Sequence, residues 1–530
     1  MKNAKNIAIF KKVKYKLQVI TFMNRKHIIA ILAIIIIICA GAFVMMTKSN
    51  PSTNSISIDA NALEDRGNLV VDSESLDEHD GYYHSDSADT NSILVKNGGN
   101  LKLTNSAVNK TGDTATSGDD ADFYGVNSAI LVNTNGTLDI SNVEINTDSK
   151  GSNGIFVTNA NASSSSGDSS AQGSGEGGQP PEATGNGGGD GGQPPEMPDG
   201  NSGEGGQATD SSNGQGNGEQ PGQSTVEGST EANIKNVKIT THSDKSRGLD
   251  ATYKGVINAE NVIINTDGQS CAALATDRGE GQVHVKNSEI NTGVSKTSGR
   301  GSPLIYSTGN ITAENTKGTS YVSQIACIEG KNSIELENCD LTGFAQGNRQ
   351  DGDTYVDLGG IFIYQSMSGD ADVGTSTFTA KNSKLAIAED SSVSKEAPMF
   401  HITNTACVVN LENTELSFSS GVFLESSGQN QWGSEGSNGG TCELNTENED
   451  ITGNVIVDSI SSLNWNMKNT QFKGAINSTG NTTISVGEGS TWTLTGDSTV
   501  SSLELNGNIE YGEYTLTVDG KTYNSSNQFK

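Results

Sequence analysis

The sequence predicts an all-β solenoid, a right-handed parallel β-helix with an asparagine ladder, preceded by one N-terminal transmembrane or signal helix. Three observations predict it. An asparagine-centred motif recurs along the chain, apolar and polar residues alternate around it, and one uncharged apolar stretch precedes an acidic body.

The motif reads Φ-x-Φ-x-Asn-x-x-Φ, with Φ apolar. It spans 101–108 around Asn105, 138–145 around Asn142, 232–239 around Asn236 and 257–264 around Asn261. Further copies centre on Asn287, Asn338, Asn382, Asn413 and Asn469. Asn315 sits in a copy ending on Gly318, and Asn448 in one lengthened by two residues, with Thr446 at the usual Asn position. Alternation with a period of two marks a half-buried strand. Asn shares the parity of the apolar positions, so it is expected to face inward. An inward amide needs partners, and stacked identical coils supply them if each Asn donates to one neighbour and accepts from the other. Asn also tolerates the left-handed backbone of a sharp turn.

From Asn236 the asparagines follow at 25, 26, 28 and 23 residues, and Asn448 precedes Asn469 by 21. These are single solenoid coils, and longer gaps are coils with inserted loops. A further apolar strand precedes many copies, as at 93–95, 130–132, 155–157, 304–306, 361–364 and 422–424. Three short strands per coil then stack into parallel sheets, and parallel crossovers are right-handed. Beyond Asn469 the runs 491–495, 503–505 and 514–518 are expected to form hairpins, with a turn such as Leu505-Asn-Gly-Asn-Ile509. Trp492 and Leu494 share a face suited to closing the end of the stack.

Residues 162–230 interrupt the repeat with 20 Gly, six Pro and ten acids, and without Lys or Arg. Gly-Gly-Gln-Pro-Pro-Glu occurs there twice. Such a stretch cannot bury a core and reads as a disordered, self-repelling loop.

Nine of the 33 Lys and Arg precede Asp59, the first acid, which leaves 24 against all 63 Asp and Glu. The acidic body repels polyanions, which argues against a nucleic-acid partner. Residues 28–46 carry no charge, and 19 residues of helix span roughly 28 Å, enough for a bilayer core. The basic flank precedes them, so the body is expected outside the cell membrane. The segment is either retained as an anchor or cleaved near Ala42, where Ala40-Gly41-Ala42 fits a small-residue pattern; Cys39 is a lesser candidate for lipid attachment. The predicted organisation is thus a basic segment (1–27), membrane segment (28–46), linker (47–65), β-helix (66–161), insertion (162–230), β-helix (231–480) and C-terminal β cap (481–530).

Candidate chemistry is sparse. Cys271, Cys327, Cys339, Cys407 and Cys442 form no metal-ligand spacing and read as small buried hydrophobes rather than disulfides. No histidine constellation, phosphate loop or nucleophile elbow occurs, and no catalytic residue is assigned. In the segment 348–357, Asp351, Asp353 and Asp357 have a spacing that could hold Ca²⁺; the alternative is a solvated acidic loop. Asp119, Asp120, Asp122, Asp370 and Asp372 form shorter clusters of the same kind. Sugar binding calls for exposed aromatic faces, and Trp432, in a polar loop, is the one tryptophan expected to meet solvent.

Several stretches resemble right-handed β-helix, adhesin-like surface proteins of anaerobic gut bacteria, within the wider pectate-lyase-like fold. They are Tyr124-Gly-Val-Asn127-Ser-Ala-Ile130, Ala275-Thr-Asp-Arg278-Gly, Ser302-Pro-Leu-Ile-Tyr306-Ser-Thr-Gly309, Gln365-Ser-Met-Ser-Gly-Asp370-Ala371 and Ser490-Thr-Trp492-Thr-Leu-Thr-Gly496. The resemblance covers about 66–530 apart from the insertion. It implies a surface protein contacting extracellular polysaccharide or another cell's surface. The Arg-x-Lys and Gly-His-Gly sites of lyases and hydrolases in that fold are absent here. A polysaccharide lyase or hydrolase, and a noncatalytic carbohydrate-binding protein, are the alternative expectations.

Overall fold

The computed structural model describes residues 57–116, 118–160, 228–351 and 354–530. The predicted membrane segment 28–46 lies outside them, as does nearly all of the insertion. Among the described residues no helix is long and apolar enough to cross a membrane.

The described chain is almost entirely β. Two large parallel sheets dominate, sheet A with 21 strands and sheet B with 13. A typical coil runs through Gln282–Lys286 and Glu289–Thr292 in sheet A, then Ile305–Ser307 in sheet B. Each segment pairs in parallel with its counterpart one coil on. The expected three strands per coil are therefore present.

Apolar residues at alternate positions form inward columns. Leu101, Leu138, Ala232, Ile257, Val283 and Ile311 are register partners through successive coils, and all are 0% exposed. Full burial of one such aliphatic side chain contributes about 1.5–3 kcal/mol. In the C-terminal coils aromatic residues take over. Phe378, Phe400, Phe423, Trp465, Phe472 and Trp492 contact one another in sequence, with ring centroids 4.7–5.9 Å apart.

The ladder exists, but its direction differs from the expectation. All eleven motif asparagines have φ between 48° and 57°. That left-handed residue reverses the parity of the strand at the corner. Asn therefore leaves the core, and the next residue, such as Val143, Val237 or Val262, points in at 0% exposure. The side-chain amides stack along the outside corner. Asn142 donates to Asn105 at 3.2 Å, Asn236 to Asn142 at 3.2 Å, Asn413 to Asn382 at 2.7 Å and Asn469 to Asn448 at 2.6 Å. Asn261 to Asn236 and Asn315 to Asn287 continue the series.

The expected hairpin at 505–509 is also corrected. Ser502–Leu505 and Asn508–Glu510 each pair in parallel with the preceding coil, so the solenoid continues through both. Near the C-terminus Leu516–Val518 with Lys521–Tyr523 turns antiparallel. Trp492, 0% exposed, packs inside, but Ile509 stacks in register beyond it, so it fills an interior coil rather than closing the end. All five described cysteines are free and buried.

Candidate functional site

The outward positions of sheet B would ordinarily meet water. Here Phe156, Asp250, Ala275, Tyr306, Cys327, Phe362 and His401 form one register column. All but Tyr306, which is half-buried, are fully covered. Their cover comes from inserted segments: a short helix α1 (Gly118–Tyr124), the hairpin Gln350–Asp351 with Thr354–Tyr355, and the loops at 366–373 and 428–440.

Two of the sequence-predicted site residues meet under this cover, in another role than expected. Trp432 is 5% exposed, not open to solvent. Its ring lies 5.3 Å from Phe362 and 5.4 Å from Tyr364, centroid to centroid. The apolar outer column attracts it, and its polar loop is closed by Asn438, whose amide donates to the carbonyls of Gln429 and Trp432. Gln431 Nε2 reaches the carbonyl of Gln350 at 3.0 Å and joins this loop to the acidic hairpin.

Asp357 is buried and accepts backbone N–H groups from Asn348 at 2.7 Å and Arg349 at 3.1 Å. Burial pushes its carboxyl above the usual range, against those donors. It ties the base of the loop rather than presenting oxygens to an ion. Asp353 and the Asp351 side chain lie outside the described residues. No group of three metal-ligating side chains with the geometry to hold an ion occurs among the described residues. In the other acidic clusters cationic side chains occupy the place of a metal: Asp370 pairs with Arg278, and Asp372 with Lys331.

Of the densest charge cluster the sequence singles out only Asp122. Arg247, 8% exposed, meets Asp122 at 3.1 Å, Asp277, and Asp250 at 3.5 Å, while Lys245 reaches Asp122 at 2.9 Å. Burial disfavours the Arg247 charge, yet Asp277, Asp122 and Asp250 hold its pKa well above normal. Burial raises Asp277 to about 6 and Asp250 well above the carboxylate range. Neither Asp250 oxygen finds a hydrogen-bond partner at ordinary geometry. Arg278 stacks on Phe123 at 3.6 Å and helps hold α1 down. Nearby, burial raises Glu329, which accepts from Tyr306 at 3.0 Å and from the Ser366 amide at 3.2 Å. These residues come from different coils, Asp122 lying 123 positions before Lys245, so no local motif announces them.

Sheet A carries the opposite kind of face. Three positions before each ladder asparagine, one outward column runs through Asp139, Asn233, Asn258, His284, Thr312, Glu335, Thr379, Asn410, Asn445 and Asn466 in unbroken register. Every member is polar. Asn258 donates to Asn233 at 3.1 Å, Asn445 to Asn410 at 3.0 Å and Asn466 to Asn445 at 2.9 Å. Two shallow troughs follow this column. The larger, about 550 Å³, is lined by Asn410, Asn445, Asn466, Lys381, Glu412 and Lys468 among others; the second includes Asn233, Asn258 and His284.

Fold and site together define a parallel β-solenoid with one loop-covered face and one bare, amide-lined face. No protein-family model matches the chain, and no curated protein matches it. The likeness to adhesin-like β-helix proteins therefore rests on the stretches quoted above.

Proposed function

We propose that this protein is an adhesin-like, right-handed β-helix of the cell surface, held at the membrane by residues 28–46, that binds polysaccharide or another cell's surface without catalysis. The observation that carries this reading is the continuous polar column along the bare face of sheet A. It is open along the solenoid, whereas loops close most of the corresponding column of sheet B, from Leu131 to His401. Its amides offer hydrogen bonds in a fixed geometry, and rigid strands hold them in place. The right hand follows from the preference of parallel crossovers.

The purified full-length protein, assayed on immobilised polysaccharides and on whole cells, tests the reading. Saturable retention without release of sugar is expected. A second reading, polysaccharide hydrolysis or lysis, draws on Asp250 and Asp277, two buried acids with raised pKa on one face. Both are buried and face Arg247, whereas the sheet A column meets solvent, so adhesion is the stronger reading. Release of reducing or unsaturated sugar would reverse the order.

A further inference from the structure

Resting on that reading of the bare face, we propose that its trough takes an extended, uncharged, β-1,4-linked polysaccharide lying parallel to the solenoid axis, one sugar unit per coil. Spacing is the first argument. Asn410, Asn445 and Asn466 are register partners on consecutive strands, and such strands lie about 4.8 Å apart. An extended β-1,4-linked chain advances by slightly more than that distance per sugar and turns each successive unit over, so equivalent hydroxyls return to the amide column at every second coil. Chains that wind, such as α-1,4 or β-1,3 glucans, lose this register.

Hydrogen-bond chemistry is the second. An amide has two N–H donors and an oxygen with two lone pairs. Within the ladder, Asn466 spends one donor on Asn445, and Asn410 spends one on Thr379 at 3.2 Å and one lone pair on Asn445. Both retain a donor and acceptor capacity, and a sugar hydroxyl is likewise both donor and acceptor. Asn445 uses its second donor on Glu443 at 3.2 Å, which fixes its orientation.

Charge is the third. Lys468 is paired with Glu447 at 2.7 Å, and Lys381 lies 3.8 Å from Glu412. The lysines lining this trough are thus neutralised, and the acidic body around them repels uronate or sulfate groups. Because no aromatic platform lines the trough, each sugar adds little, and affinity should grow with the number of coils engaged.

Calorimetry on the full-length protein with cellohexaose and chitohexaose tests the proposal, with cellotriose, laminarihexaose, maltohexaose and oligogalacturonate as comparisons. Binding is expected for at least one β-1,4 hexasaccharide, at least tenfold tighter than for its trimer. Asn445→Leu should weaken it at least tenfold while lowering the melt no more than Asn291→Leu, which lies beyond the ladder corner, loses a similar set of bonds and should leave binding intact. Equal or better binding of the β-1,3, α-1,4 or anionic oligosaccharide would overturn the ligand class while leaving surface binding standing. So would equal loss in the two variants. Failure to bind any glycan, with cells still retained, would overturn the proposal alone; failure on cells and glycans together would overturn the broader reading too.

Discussion

The Thr230 hydroxyl donates to the side-chain oxygen of Asn159 at 2.8 Å, across 71 positions of sequence. Thr230 Oγ1 also accepts the backbone N–H of Asn135 at 2.9 Å. The two flanks of the glycine-rich insertion therefore meet, and the coil between the strands Ile155–Thr158 and Glu231–Thr241 closes where the insertion departs. Loop closure costs only about 0.6 kcal/mol per doubling of length. Replacing residues 162–227 with a short Gly-Ser linker should leave the melting temperature unchanged or slightly higher. Scanning calorimetry checks this; a large drop would mean the segment packs on the solenoid.

The ladder gives a second test, sharpened by its outward direction. Asn261→Ala loses the bond to Asn236 and places Ala at φ 57°. The two effects together should cost about 1–3 kcal/mol. Asn261→Gly loses the same bond but accepts the backbone, so it should cost about 1 kcal/mol less. Denaturant melts of both variants check this, and equal losses would assign the whole effect to the side chain.

Asn438 makes a contrasting case. Its loop composition suggests an exposed, replaceable residue, yet it is 3% exposed with two carbonyl partners. Asn438→Ala should destabilise by about 1–3 kcal/mol, since it orphans buried carbonyls. A loss within a few tenths would show that water replaces the amide freely.

Glu449 occupies the inward position after Asn448, where neighbouring coils have Thr414 and Thr470. It accepts the Thr414 N–H at 2.8 Å, and burial raises its pKa to about 7. A carboxyl raised in the folded state stabilises fully below its unfolded pKa and loses that contribution as pH rises through the folded value. Stability should thus fall between about pH 4.5 and 7, and the raised pKa of Asp277, about 6, has the same sign. Glu449→Gln should flatten the profile and gain about 2 kcal/mol near pH 8. Thermal melts from pH 4 to 8 measure it; a parallel profile would remove Glu449 as the cause.

The Arg247 cluster should be asymmetric. Arg247→Leu strands Asp122 and Asp277 without their buried partner, a change worth about 3–5 kcal/mol. Neither Asp250 oxygen has a hydrogen-bond partner at ordinary geometry and burial already disfavours its charge, so Asp250→Asn should cost clearly less than Arg247→Leu. Chemical denaturation compares them, and similar losses would contradict a shared Arg247 hub.

The stacked sheets were legible because each coil restates the same physical pattern, with an apolar residue at every second position and a left-handed Asn at the corner. The direction of the ladder was not, because parity counting assumes a continuous strand and one left-handed residue reverses it. The continuation at 505–509 was missed for a related reason: Asn-Gly reads as a hairpin turn, but a solenoid corner uses the same residues. Trp432 and Asp357 were picked out by composition as solvent-facing, yet loops long enough to fold back bury them. Of the Arg247 cluster only Asp122 stood out, as part of a short acidic run, since its partners converge only through coil stacking.

The aromatic column also determines what light can report. All three tryptophans lie beyond residue 430, and Trp465 and Trp492 sit inside the terminal coils with Phe472 between them. Intrinsic tryptophan emission therefore watches the C-terminal part of the solenoid and is blind to the first coils. A chain fraying from its N-terminal end would keep its native emission until the unwinding front arrived, so circular dichroism and fluorescence recorded on one heating ramp would separate in time and reveal the direction of unfolding.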